Sequence, residues 1–134
     1  MRIAVFFAVF AAVVGCGASS AGTSQSSTEL RISFFPEGRS EGDRTLWTLR
    51  CAPTGGTLPK RGAACQKLDR MKNPFAPLPK DLQCTEVYGG PEQTLITGTH
   101  NGRKVWVMLG LRNGCEIARW RKLAFLMNSS RSAP

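Results

Sequence analysis

The sequence of 134 residues contains one histidine, His100, and lacks the short motifs that accompany the common catalytic chemistries. It has no Gly-x-Ser-x-Gly elbow, no glycine-rich phosphate loop and no Cys-x-x-Cys pair. His100 lies at the tip of a predicted hairpin, where we expect a solvated turn residue. Most acidic residues flank turns, so no carboxylate pair for acid–base catalysis is indicated. We therefore expect no enzyme, no metal and no cofactor, with catalysis involving His100 as the alternative.

Long runs of like charge and clusters of aromatic residues are also missing. The formal net charge is +9, but lysines and arginines are scattered from Arg31 to Arg131, and the chain has one tyrosine and three tryptophans. This distribution does not predict the stacking platforms of proteins that bind single-stranded nucleic acid, so we expect no nucleic-acid partner. Positive charge is compatible with anionic lipids or cell-wall polymers. Its scatter along the chain favours an ordinary solvated surface instead.

No hydrophobic run is long enough to cross a bilayer, which needs about 20 residues. The run from Ala4 to Val14 has eleven residues and follows Arg2, a pattern typical of the core of a signal peptide. It ends in Val13-Val14-Gly15-Cys16, which resembles the bacterial lipobox, whose cysteine receives a diacylglycerol and becomes the N-terminus. The alternative is an ordinary secretory signal, with Cys16 discarded or left as an odd thiol. Either signal predicts export, to the extracellular space or to the outer face of the membrane through lipidated Cys16.

Composition divides the rest of the chain into three parts. Residues 17–28 are Gly, Ala, Ser and Thr with a single Gln, and they form a predicted flexible tether. Residues 29–127 form the predicted folded domain, and residues 128–134 a predicted disordered tail. A domain of this size buries only about two-thirds of its unfolded surface, so we expect a further source of stability.

Disulfide bonding is the expected source. Apart from Cys16, the chain has an even number of cysteines, as is usual in small exported domains. They are Cys51, Cys65, Cys84 and Cys115. Four cysteines allow three pairings, and spacing alone does not select one of them.

Strand patterns dominate the predicted domain. Alternation predicts a strand at Leu30–Phe34, and strand-forming residues predict another at Leu46–Leu49. Asn101-Gly102 stands between the strand-like segments Thr94–Thr99 and Lys104–Leu109, and this dipeptide is a strong signal for a β-hairpin.

Helical patterns are fewer. Apolar residues at spacings of three and four predict a helix over Arg61–Met71, and a single helical turn is expected at Glu116–Arg119. Leu123–Leu126 is predicted as a last strand. Four or five strands with one substantial helix indicate an antiparallel α+β domain.

Four segments together carry a family resemblance. They are Cys51-Ala52-Pro53 with Ala64-Cys65-Gln66-Lys67, Leu82 to Pro91, Thr97-Gly98-Thr99 with Gly102 to Val105, and Asn113-Gly114-Cys115-Glu116. With this cysteine spacing, the chain resembles the subtilisin-inhibitor-like family of secreted actinobacterial serine protease inhibitors. The resemblance implies a five-stranded antiparallel sheet packed with two short helices. It also implies the disulfides Cys51–Cys65 and Cys84–Cys115, and commonly a homodimer formed sheet to sheet.

The same resemblance implies a reactive loop around Cys84. The bond offered to the protease would be Glu86–Val87, with Glu86 entering the specificity pocket. The residues implied to contact the protease beside this bond are Gln83, Cys84, Thr85 and Tyr88. Asn113 is implied as a support that hydrogen-bonds the loop backbone from beneath.

Glu86 departs from the family pattern. Family members that block subtilisin or trypsin usually carry Met, Leu, Lys or Arg at this position. A carboxylate in an apolar pocket costs several kcal/mol unless it is paired, so we do not expect strong inhibition of those two proteases. A serine endopeptidase with a basic or polar pocket suits Glu86 better. The alternative function is a cell-surface lipoprotein that keeps the inhibitor fold as a binding or structural module without strong inhibition.

Overall fold

The computed structural model describes Gly17 and residues 27–127. The predicted signal segment with Cys16, the tail 128–134 and nearly all of the tether lie outside those residues. Within the described part of the chain, no helix is long and apolar enough to cross a membrane.

A five-stranded antiparallel sheet is the centre of the fold, as expected, with strand order β3-β2-β1-β4-β5. Its strands are β1 (Thr28–Phe35), β2 (Thr45–Cys51), β3 (Gly55–Gly56), β4 (Gln93–His100) and β5 (Arg103–Leu109). The central strand β1 pairs with β2 on one side and β4 on the other. The predicted Asn-Gly hairpin is confirmed, because Asn101 and Gly102 join β4 to β5 with φ angles of 50° and 74°. Positive φ at both positions matches the right-handed twist of the flanking strands.

Two helices pack against one face of the sheet. They are α1 (Arg61–Arg70) and α2 (Gly114–Leu123), and a 3₁₀ turn, Ala124–Leu126, follows α2. A second 3₁₀ turn, Arg39–Glu41, lies between β1 and β2. The core between the sheet and the helices includes Leu30 and Ile32 of β1, Ile96 of β4 and Trp120 of α2.

The disulfide pairing implied by the family resemblance is confirmed. Cys51–Cys65 joins the end of β2 to α1, and Cys84–Cys115 joins an irregular segment to α2. The closed loops have sequence separations of 14 and 31. On the chain-entropy account, loops of such lengths contribute about 3 to 4 kcal/mol each, which is comparable with the whole stability of a small domain.

The structure corrects the prediction for the C-terminal segment. The single turn expected at Glu116–Arg119 is a helix of ten residues, and Leu123–Leu126 is helical rather than a strand. Ile117, Trp120, Leu123 and Leu126 are buried at intervals of three residues, so packing on the sheet selects the helix. A short apolar run does not by itself distinguish the two structures.

His100 is also placed differently from the prediction. It is the last residue of β4, is 8 % exposed, and belongs to the same face of the strand as Thr94 and Ile96. Its Nδ1 is 2.8 Å from the hydroxyl of Thr28, and its ring meets the ring of Phe75 edge-on with centroids 5.4 Å apart. His100 is therefore a structural residue of the sheet rather than a solvated turn residue.

Candidate functional site

The segment from Leu82 to Gly90 has no regular secondary structure. Every residue from Asp81 to Tyr88 is exposed. Leu82, Val87 and Tyr88 are 46 %, 53 % and 68 % exposed, and only Trp106 joins them as an exposed large hydrophobic residue in the described part of the chain. Exposed apolar residues grouped on one loop are typical of an interaction site.

The disulfide Cys84–Cys115 fixes this loop to the first turn of α2. The two Cα atoms are 5.4 Å apart, so the backbone of the loop lies directly beside the helix. Because Cys84 lies two residues before Glu86, the restraint acts close to the Glu86–Val87 bond.

Thr85 carries the hydrogen bonds that shape the loop at Glu86. Its carbonyl oxygen accepts one hydrogen bond from the backbone N–H of Val87 and another from that of Gly114, each at 2.9 Å. The first closes a three-residue turn centred on Glu86, whose φ is not positive, so the turn is of the inverse γ type. The second joins the turn to α2. Glu86 is therefore exposed, and the backbone next to it is hydrogen-bonded to α2.

Two glycines allow the loop to rest this closely on its support. A Cβ atom on Gly114 would overlap the hydroxyl oxygen of Thr85. A Cβ on Gly89 would meet Ile117 Cδ1 at 3.1 Å and Leu111 Cβ at 3.2 Å. Gly89 also donates a 2.7 Å hydrogen bond to the carbonyl of Leu111, which fixes the loop beyond Val87.

The family resemblance implied that Asn113 hydrogen-bonds the loop backbone, but the structure shows a different contact for this side chain. Its side-chain oxygen accepts a 3.0 Å hydrogen bond from the backbone N–H of Glu116, which makes it the N-cap of α2. The backbone bond to the loop comes from the next residue, Gly114. Asn113 thus orders the helix terminus that carries both Gly114 and Cys115.

Arg112 and Glu116 brace the same turn. Their side chains form an ion pair of 2.8 Å, and the Glu116 carboxylate also accepts a 3.1 Å hydrogen bond from the backbone N–H of Arg112. Partial burial alone would raise the pKa of Glu116, but the hydrogen bonds from Arg112 outweigh it and hold that pKa below its usual value. The carboxylate therefore stays charged near the helix N-terminus, where negative charge is favourable.

Arg119 connects α2 to the proline-rich segment that precedes the loop. Its Nη2 donates to the carbonyl of Ala76 at 2.7 Å. Burial lowers the pKa of Arg119, and the charge of Glu116 opposes that shift. A groove of about 540 Å³ separates this segment from α2, and its walls include Pro77, Cys84 and Lys122.

The structure brings six of the sequence-predicted residues, Gln83, Cys84, Thr85, Glu86, Val87 and Tyr88, onto one exposed loop. The sequence interpretation missed the support given by Gly89, Gly114 and Arg119. The spacing Asn113-x-x-Glu116 was a readable signal, because an N-cap residue followed three positions later by Glu typically begins a helix. In the part of the chain that the structure describes, no group of His, Cys, Asp and Glu is arranged to hold a metal ion.

Comparison with known proteins identifies a family and similar solved structures. The family model described as subtilisin inhibitor-like matches residues 15–113. A solved structure, sermetstatin of Streptomyces caespitosus in complex with subtilisin of Bacillus licheniformis, includes a chain 24 % identical to this one. The match covers 78 % of this chain and 99 % of that chain, with a TM-score of 0.47. No curated protein is significantly similar to the chain.

Proposed function

The chain belongs to the subtilisin inhibitor-like family, and on that premise we propose that it inhibits a serine endopeptidase by offering Glu86–Val87 as a substrate-like bond. The observation that carries the proposal is the double restraint on Thr85, whose carbonyl is bonded to Val87 and to Gly114. The residues proposed to contact the protease are Gln83, Cys84, Thr85, Glu86, Val87 and Tyr88.

Restraint of the loop explains how binding would be strong. A flexible peptide loses conformational entropy when a protease orders it, and this loss reduces its affinity. Here the disulfide at Cys84 and the hydrogen bond of Gly89 to Leu111 hold the chain on both sides of the proposed bond before any protease arrives. More of the contact energy is then expressed as affinity.

The same restraint explains why cleavage would be slow. Attack by the protease serine on the Glu86 carbonyl forms an acyl-enzyme and leaves the amine of Val87 as the departing group. That amine stays near the acyl carbon, because Gly89 remains bonded to Leu111 and Cys84 to Cys115. A held nucleophile has a high effective concentration, so religation is favoured over release.

Glu86 sets the class of protease in this proposal. Its side chain is exposed, and it would be the group that enters the specificity pocket. A basic or polar pocket pairs with the carboxylate, whereas an apolar pocket leaves it desolvated at a cost of several kcal/mol. The proposed target is therefore a glutamate-preferring serine endopeptidase.

A protease panel tests the proposal. The wild-type protein and the variants Glu86→Met and Glu86→Lys are titrated against a glutamate-specific endopeptidase, subtilisin and trypsin. We expect wild type to inhibit the first, Glu86→Met to gain inhibition of subtilisin, and Glu86→Lys to gain inhibition of trypsin. Mass analysis of long incubations should detect a cut only between residues 86 and 87.

A matched control uses the exposed Glu29, which lies at the end of β1 opposite the loop. Glu29→Lys makes the same charge change as Glu86→Lys and should leave the inhibition profile of the wild type unchanged. If neither wild type nor the two Glu86 variants inhibit any of the three proteases, the loop is not an inhibitor. The alternative function, a surface lipoprotein that keeps this fold without strong inhibition, would then be preferred.

The proposal also includes a homodimer and an exported location. The outer face of the sheet carries four apolar residues that are at least partly exposed, here called the outer apolar patch: Leu46, Leu95, Trp106 and Met108. A second copy of the chain is the proposed partner of this patch. Export with a lipid on Cys16 is proposed from the sequence of residues 1–16, and release of a Cys16→Ala variant into the medium would support the anchor.

A further inference from the structure

The antiparallel sheet has two ends, and the tether and the loop belong to opposite ones. Thr28, Cys51 and His100 lie at one end, here called the tether end, because the chain enters the domain at Thr28. The strands end at Phe35 and Leu109 on the opposite side, here called the loop end, and the loop is bonded there to Leu111. A strand of eight residues separates the two ends by about 25 Å.

Exposed basic residues gather at the tether end. Arg50 lies next to the last residue of β2, and Arg103 and Lys104 begin β5. The segment from Cys65 to Phe75 crosses the same end, because Cys65 is bonded to Cys51 and Phe75 contacts His100. The basic cluster, as we name it, therefore comprises the exposed residues Arg50, Arg70, Lys72, Arg103 and Lys104, whereas the Lys67 ammonium lies over the ring of Phe125, 4.8 Å from its centroid.

Few acidic residues balance this cluster. Glu29 and Asp69 are the acidic residues of the same strands and segment. At the loop end the exposed charges balance: Glu37, Asp43, Asp81 and Glu86 stand against Arg39, Arg44, Lys80 and Lys122, while Arg112 is paired with Glu116. The fold thus leaves a net positive charge among the exposed residues of the tether end.

We propose that the basic cluster binds anionic lipid headgroups and turns the loop toward solvent. Headgroup phosphates complement clustered Lys and Arg, and each such residue close to an anionic surface strengthens binding about fivefold. Eleven residues, 17–27, separate Cys16 from Thr28 in the sequence. Because the chain enters at the tether end, a lipid-anchored protein keeps the basic cluster close to the membrane, which raises its effective concentration there.

Orientation is the functional consequence, and it rests on the proposed inhibitory function. With the tether end on the membrane, the Glu86–Val87 bond faces away from the bilayer and remains accessible to a protease in solution. The loop end, whose exposed charges balance, offers anionic lipid no comparable attraction.

Vesicle binding of the full exported protein tests the inference. Binding is measured by co-sedimentation with phosphatidylcholine vesicles containing 30 mol% phosphatidylglycerol, and with pure phosphatidylcholine vesicles, at low and high salt. An acyl chain contributes equally to both vesicle types, so the ratio of the two partition coefficients reports the charge effect. We expect a ratio well above one that falls toward one at high salt.

Two double variants locate the binding surface. Arg103→Gln with Lys104→Gln removes two charges at the tether end, and Arg39→Gln with Arg44→Gln removes two at the loop end. The first should lower the ratio about 25-fold and the second less than threefold. Equal losses would show that net charge alone matters and would overturn the inference, as would a ratio of one for the wild type.

Further outcomes separate this inference from the proposed function. Binding to a soluble anionic polymer with no binding to vesicles would overturn the lipid assignment. Lipid binding without any protease inhibition would support the basic cluster and contradict only the inhibitory function. Inhibition that is lost when the protein binds vesicles would contradict the proposed orientation.

Discussion

Thr85 determines the backbone conformation that the loop presents to a partner at Glu86. Its carbonyl accepts hydrogen bonds from Val87 and Gly114, and its side chain lies against the bare Cα of Gly114. Any other residue at position 114 would have a Cβ that overlaps the Thr85 hydroxyl. Gly114 is therefore needed because the loop approaches α2 closely, and not because the backbone at this position requires the conformational freedom of glycine. The carbonyl oxygen of Thr85 and the absence of a Cβ at Gly114 therefore control the geometry of the proposed reactive bond.

Gly114→Ala should weaken inhibition. The new methyl group would displace Thr85 and with it the turn at Glu86, and a misplacement of about 1 Å at a reacting bond costs on the order of 100-fold. The measurement is the inhibition constant against the protease that the wild type inhibits. Gly62→Ala is the matched control, because Gly62 lies in α1 with open space around it. An unchanged constant for Gly114→Ala would show that the close contact does not position the loop.

At the scale of elements, three parts of the fold meet at His100. Thr28 at the start of β1 is hydrogen-bonded to its Nδ1, Asn101 of the hairpin turn is adjacent to its Nε2, and Phe75 from the segment after α1 packs on its ring. Burial lowers the pKa of His100, and the charge of Asp69 opposes this effect only in part. The neutral imidazole is therefore the form that fits this junction.

Stability should consequently fall on mild acidification. Above the ordinary histidine pKa of 6.5, the residue is neutral in both folded and unfolded chains, and its contribution is complete. As the pH falls below 6.5, the unfolded chain binds a proton more readily than the folded one, so the free energy of unfolding decreases. Denaturant unfolding between pH 7.5 and 5 should show a steeper loss for wild type than for His100→Gln. Parallel curves for the two proteins would contradict the prediction.

At the scale of the whole molecule, the sheet separates two surfaces. Its inner face packs on the helices, while its outer face carries the outer apolar patch beside charged rows. Trp106 is 67 % exposed in the single chain and lies one row from Leu95 and Met108. The proposed reactive loop is bonded to α2, on the inner side of the sheet, so a dimer formed through the patch would leave both loops accessible.

Trp106→Glu should dissociate the proposed dimer. A carboxylate at the centre of an apolar interface is desolvated without a partner, which costs several kcal/mol at each of two equivalent positions. Sedimentation velocity at fixed protein concentration gives the mass. Tyr88→Glu, a change of an equally exposed aromatic residue on the loop, should leave the mass unchanged. A monomeric wild type, or a variant that remains dimeric, would contradict the proposed interface.

Local patterns were sufficient for much of this protein. The strand alternation of β1, the Asn101-Gly102 turn and the periodicity of α1 depend on residues close together in the chain, and the structure has each of them. The cysteine count predicted disulfides but left three pairings open, and only the family resemblance implied the pair that is observed. The composition of the loop around Cys84 likewise indicated exposure, which the structure shows.

The tertiary structure decided what depends on contacts between distant residues. Packing on the sheet extends α2 beyond the predicted turn, and contacts with Thr28 and Phe75 enclose His100, the last residue of β4. The support of the loop by Gly89 and Gly114 needs an approach of two backbones far apart in sequence, which no local pattern encodes. The cysteine count predicted a domain held by disulfides, and the fold determined that one of them holds the loop two residues before Glu86.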